Sequence, residues 1–166
     1  MRRTTSAVAF ALLGLASLDA VACRTTPPRV EPSLSELAKT SGVIAVIHVE
    51  RILPMSAEEK ALHDRLWTDP PLNVVFRYPG ESAEFSVVSA LKGELPAAAL
   101  IWIGTTSCDV TMSAGRDYVI FTDVPTTQGD KIVPRYGTFL LDEDQDSLAK
   151  LVEVESLLNL SNPTHP

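Results

Sequence analysis

Runs of apolar and β-branched residues recur along residues 42–141 and predict a mainly β domain. The strongest run covers 42–52, where nearly every residue is apolar, and it predicts a strand buried on both faces or a long barrel strand. Residues 84–91 alternate, with Phe85, Val87 and Leu91 on one side, and the turn at Lys92-Gly93 closes this second strand. Further strands are predicted at 72–78, 98–103, 117–122, 131–134 and 137–141.

Two capping boxes predict helices among these strands. Ser33 with Glu36 begins a short helix over 33–39, and Ser56 with Glu59 begins a helix that extends to about residue 67, before two prolines. The second helix interrupts the strand pattern. We therefore expect a helical insertion at about 53–71 within a domain that spans 33–141.

The C-terminal part of the chain has helical periodicity. Residues 142–160 predict a helix, and residues 161–166 form a tail. The acidic residues at its start are stabilised by the positive end of the helix dipole. A calcium loop is the alternative, because four acidic residues have the spacing of its ligands, although position six lacks glycine. These four are Asp142, Asp144, Asp146 and Glu153.

Short strands with helices at the edges predict a five-stranded antiparallel barrel of the OB type (oligonucleotide/oligosaccharide-binding), with short flanking helices and a C-terminal helix. Loops on such a rigid barrel are where binding usually occurs. The insertion replaces a hairpin loop, so Trp67 and Tyr78, in or beside it, are the candidate contacts with a partner. Trp102 and Tyr118 are expected in the core.

The N-terminus has the pattern of an export signal. Residues 1–22 combine an early arginine pair, an apolar run and the small-x-small cleavage site Ala20-Val21-Ala22, so that Cys23 becomes the first mature residue. Residues 23–32 form an extended, proline-rich leader. Cys23 can form a disulfide with Cys108 in an oxidising compartment, or it can be acylated to give an envelope lipoprotein. The protein is then periplasmic or extracellular, or it is anchored to a membrane.

Composition excludes several functions. The formal net charge is −7 and aromatic residues make up 6%, which argues against nucleic acid as a partner. After the signal no apolar run is long enough for a transmembrane span. The three histidines lack metal spacing, and His63 and Asp64 are expected to be exposed, whereas His48 is expected to be a hydrogen-bonded wall residue. No nucleophile motif is present, so we expect a protein that is not an enzyme and needs no cofactor.

The order of these pieces resembles the netrin-like superfamily, which includes the tissue inhibitors of metalloproteinases. The similarity has four parts and spans about two-thirds of the chain. They are a cysteine after the signal at Ala22-Cys23, a short helix (36–39) before a long apolar strand (43–49), the strand that ends at Lys92-Gly93, and Cys108 followed by Gly115 and the aromatic strand at 118–121.

This resemblance implies an OB barrel in which Cys23 is tied to the Cys108 loop. It also implies a protein partner, a secreted zinc metalloprotease, whose metal the α-amine and carbonyl of Cys23 would chelate while Arg24 enters the substrate pocket. An amine and its own carbonyl form a five-membered chelate at an open zinc position. The chain departs from the inhibitors at Thr25, where they have a second cysteine, and at Arg24, where they have a small polar residue.

Overall fold

The structure, a computed structural model, describes residues 30–72, 76–96, 99–106, 109–124 and 131–161 of the 166-residue chain. Five antiparallel strands form one curled sheet in the order β3-β2-β1-β4-β5. The predicted fold class is confirmed: the protein is mainly β, with a half-barrel of the OB type, flanking helices and a C-terminal helix. The strands are β1 (Val43–Leu53), β2 (Glu81–Lys92), β3 (Ile101–Ile103), β4 (Arg116–Thr122) and β5 (Phe139–Leu141).

The strand β1 lies at the centre of the sheet, and its part Val43–Val49 is buried on both faces, as predicted, whereas Glu50 and Arg51 are exposed. Because successive side chains of a strand point to opposite faces, its residues contribute to two cores. Ala45, Ile47 and Val49 belong to the core inside the curl. Ile44 and Val46 belong to a second core outside it. A long strand of this kind holds β2 and β4 in place on either side.

The described residues form three helices: α1 (Leu34–Thr40), α2 (Ala57–Thr68) and α3 (Gln145–Ser161). The hydroxyl of Ser33 accepts a hydrogen bond from the backbone of Glu36, which is the serine half of the first predicted capping box. Helices α1 and α3 cover the outer core, where Leu37 and Val154 are buried against the sheet. The outer face of the barrel is therefore a second layer of packing rather than a solvated surface.

The strand β2 differs from its predicted alternation. Its register with β1 shifts at three places, and Val88 and Leu91 have no opposite residue on β1. The bulge at Val88 reverses the alternation, so the prediction that Leu91 shares a side with Phe85 and Val87 is wrong: Phe85 packs against the core inside the curl, whereas Leu91 packs against the outer core. The predicted Lys92-Gly93 turn is present, and Gly93 has a φ of 63°, which favours glycine.

Two other predicted strands are not formed as expected. In the segment 131–134 only Ile132 makes a bridge, which is parallel and joins Ile101 of β3 across the open side of the sheet. Residues 76–78 have no strand partner, and residues 73–75 lie outside the described residues. Within the described parts of the chain, no helix is both long and apolar enough to cross a membrane.

Candidate functional site

Helix α2 projects from the barrel, since none of its residues is buried. The helix forms because its cap is complete: the Ser56 hydroxyl accepts from the Glu59 N–H, and the Glu59 carboxylate accepts from the Ser56 N–H. Among the described residues, two polar side-chain contacts connect α2 to the barrel. Glu59 accepts from Lys131 at 2.6 Å, and the Nε2 of His63 lies 3.3 Å from the Thr105 hydroxyl.

Four aromatic rings gather where α2 meets the returning chain. His63 and Trp67, one helical turn apart, stack with ring centroids 5.9 Å apart and planes 12° from parallel. Tyr78 packs against both, at 5.7 Å from His63 and 5.6 Å from Trp67, and Phe76 meets Tyr78 edge-on at 5.1 Å. We call His63, Trp67, Phe76 and Tyr78 the aromatic surface. Trp67 is 64% exposed, so its ring is held in place yet faces solvent.

The chain that carries Tyr78 is fixed against strand β3. The Arg77 guanidinium lies 4.9 Å from the ring centroid of Trp102, whose side chain is buried as predicted. Gly80 then passes so close to β3 that a Cβ there would collide with the carbonyl oxygen of Ile103. These contacts give the aromatic surface a rigid base on the barrel.

Charge reinforces the attachment of α2. The hydrogen bond from Lys131, followed by that from the Ser56 backbone, lowers the pKa of Glu59 from 4.5 to about 2. Hydrogen bonds from Lys60 and then His63 lower the pKa of Asp64 on the same helix. Both carboxylates are therefore ionised at neutral pH, and Glu59 remains paired with Lys131.

A cleft of about 650 Å³ lies between α1, the end of β4 and the segment 131–136. Two of the basic side chains that line it already have acidic partners: Lys131 pairs with Glu59, and Arg135 pairs with Asp123. The cleft therefore offers little unpaired charge to a ligand, and the aromatic surface is the stronger candidate site.

The structure describes some of the site residues predicted from the sequence but not others. Trp67 and Tyr78, singled out as candidate contacts, are adjacent in space. Cys23, Arg24 and Cys108 lie outside the described residues, so the disulfide, the acylation and the chelation stay predictions.

The prediction that His63 is exposed is wrong. Its side chain is only 17% exposed, because Trp67, Tyr78 and Thr105 surround it. Sequence reasoning missed its place in the site; its position four residues before Trp67 on a helix was the signal that could have found it. His48 is hydrogen-bonded, as expected: its Nδ1 lies 2.6 Å from Asp117 Oδ1 on β4.

The acidic residues of the calcium alternative do not form a metal site. Asp144 instead caps α3, and its Oδ1 accepts from the N–H groups of Asp146 and Ser147. Asp142 pairs with Arg116 at 3.1 Å. Among the described residues, no three acidic, histidine or cysteine side chains converge as metal ligands. The arrangement is that of an acidic helix start.

Comparison of the sequence with protein-family models and with curated proteins finds no match.

Proposed function

We propose that this protein is an exported binding module that acts without catalysis, and that the aromatic surface is its contact with another protein. The observation that carries the proposal is the exposure of Trp67 on an ordered aromatic base. Tryptophan and tyrosine contribute large contact areas and are enriched among the residues that dominate binding energy. A ring that is already held by His63 and Tyr78 loses little further freedom when a partner covers it.

The experiment compares recovery of partner proteins by the intact mature protein and by Trp67→Ala. The matched control is Val124→Ala, which removes a side chain that is 60% exposed elsewhere on the barrel. We expect the same partner to be recovered with the wild type and the control, and to be lost with Trp67→Ala. Affinity measured with that purified partner should fall by at least about tenfold. Equal recovery by all three proteins contradicts the proposal.

Inhibition of a secreted zinc metalloprotease is the specific form of this function. It is supported by the OB-type barrel and by the resemblance of the sequence to the netrin-like superfamily. In this form Cys23 chelates the protease zinc through its amine and carbonyl, and Arg24 occupies the substrate pocket. A panel of zinc proteases assayed with the mature protein tests inhibition. One residue added before Cys23 should abolish inhibition, because the α-amine of Cys23 is then no longer free. Unchanged inhibition would show that the chelation mechanism is wrong.

An envelope lipoprotein with a structural or adaptor role is the alternative function. The small residues that precede Cys23 favour it, because they suit acylation as well as simple cleavage. Acylation uses both the thiol and the α-amine, so it excludes the chelation. The intact mass of the processed protein separates the two, since a disulfide removes two hydrogens and an acyl anchor adds the mass of lipid.

A further inference from the structure

Helix α3 has a second apolar face, which points away from the sheet. Its inner face packs Leu151, Val154 and neighbouring leucines onto the outer core. On the opposite side Leu148, Val152 and Leu160 are 45%, 63% and 77% exposed. We call these three residues the outer stripe. A helix that is apolar on both faces is usually buried on both, so an uncovered second face indicates a missing partner.

The outer stripe has the dimensions of a helix-packing surface. At 3.6 residues per turn, its three residues fall within about 120° of the circumference of the helix and extend for about 18 Å along it. Ala149, Ser156 and Asn159 lie between them, so the stripe is apolar at three positions and small or polar at the others. A second helix of three to four turns could therefore pack along the stripe at an ordinary interaxial distance.

Acidic side chains border the stripe on both sides. By helical geometry Glu155 lies on one flank, and Glu153 and Asp146 lie on the other. Asp146 forms an ion pair with Lys150, whose Nζ lies 3.5 Å from Asp146 Oδ2. Glu153 and Glu155 have no ion pair within the described part of the chain, and both are exposed. These two carboxylates supply negative charge at the edges of an apolar surface.

This charge distribution decides between occupants. A second copy packed antiparallel on the stripe would place each flank opposite the same flank of the other copy, so that Glu153 would face Glu153 and Glu155 would face Glu155, in a protein whose net charge is already −7. A helix with an apolar stripe and flanking lysines or arginines would instead pair with both carboxylates. We propose that the outer stripe of α3 binds a basic amphipathic helix of a partner protein. This proposal does not depend on the function of the aromatic surface.

The test uses the full mature protein and a synthetic helical peptide of about 18 residues, with leucines along one face and lysines beside them. A matched peptide carries glutamates in place of the lysines. Fluorescence anisotropy should show binding of the lysine peptide that weakens with salt, and at least about tenfold weaker binding of the glutamate peptide. Equal affinity for the two peptides overturns the proposal.

Variants locate the peptide on the protein. Val152→Asn should lower the affinity for the lysine peptide by about tenfold. Val88→Asn changes a similarly exposed valine on β2 and should alter this affinity by less than about twofold. Replacing Glu153 and Glu155 with glutamine should weaken binding and reduce its salt dependence. The charge-matched control replaces the exposed Glu36 and Glu58 with glutamine and should do neither. Equal effects of a variant and its control contradict the site.

Two outcomes would assign the stripe to another occupant. Sedimentation that shows a dimer of the wild type, lost in Val152→Asn, would replace the basic helix with a second copy of the chain. Binding of the wild type to uncharged lipid vesicles, lost in the same variant, would replace it with a membrane surface. All substituted side chains are exposed, so the variants should fold as the wild type does.

Discussion

The Nζ of Lys131 lies 2.6 Å from Oε1 of Glu59 and joins helix α2 to the segment that follows β4. Because α2 has no buried residue, we expect this ion pair to matter more for the position of the helix than for the stability of the barrel. Lys131→Met should speed amide exchange across Ala57–Thr68, while the free energy of unfolding falls by less than about 1 kcal/mol.

The control for this prediction is Lys60→Met. It removes an exposed pair within α2, in which Lys60 Nζ lies 2.9 Å from Asp64 Oδ2. This pair does not connect the helix to the barrel, so its loss should leave exchange in α2 much closer to that of the wild type. Equal acceleration in both variants would show that Lys131 does not hold the helix.

The same ion pair should give α2 an acid-sensitive attachment. The pKa of Glu59 is lowered from 4.5 to about 2, so the pair contributes fully above about pH 4.5 and is lost as the pH falls through about 2. The carboxyl carbon of Glu59, followed by NMR, should titrate near 2. In Lys131→Met the midpoint should rise but remain below 4.5, because the Ser56 N–H still donates to the carboxylate. A wild-type midpoint near 4.5 would contradict the pairing.

Phe121 should be among the most costly residues to truncate. Its side chain is fully buried in the outer core, with the Phe139 ring centroid 6.4 Å away. Phe121→Ala removes this packing and leaves a cavity, so urea denaturation should show a loss of about 3–5 kcal/mol. Val88→Ala, on an exposed bulge of β2, should change stability by less than about 0.5 kcal/mol. Similar losses in the two variants would mean that the outer core is not a packed layer.

The predicted bridge between Cys23 and Cys108 can be tested through stability. Closing a loop of about 85 residues should stabilise the protein by roughly 4–5 kcal/mol in the loop-entropy model. Cys108→Ser should therefore lower the thermal midpoint of unfolding, and a reductant added to the wild type should lower it by as much as the substitution does. If unfolding is the same with and without reductant, the bridge is absent or makes no contribution.

The features that the sequence predicted well are those set by local chemistry. Ser33 and Ser56 begin helices because each hydroxyl satisfies a free backbone N–H, and three residues of spacing are enough to recognise this. The apolar run in β1 is equally clear, since the residues 43–49 pack alternately into the two cores. These signals are contained within a dozen residues, so they do not depend on the rest of the fold.

The features that it missed depend on distant parts of the chain. The bulge that moves Leu91 to the outer core arises from the register between β1 and β2, which alternation along β2 alone does not contain. His63 is covered by Tyr78 and Thr105, and neither lies within ten residues of it. Trp67 and Tyr78 are both predicted as contacts from the sequence, but the 5.6 Å distance between their ring centroids depends on how the chain returns after the two prolines.

The absence of buried residues in α2 has an evolutionary consequence. Substitutions on this helix escape the selection that preserves a hydrophobic core, so its exposed residues are free to diversify while the barrel stays constant. Descendants of one scaffold could acquire new recognition by altering this single appendage. Grafting an unrelated capped helix in place of Ala57–Thr68 should therefore change what the protein binds without changing how it folds.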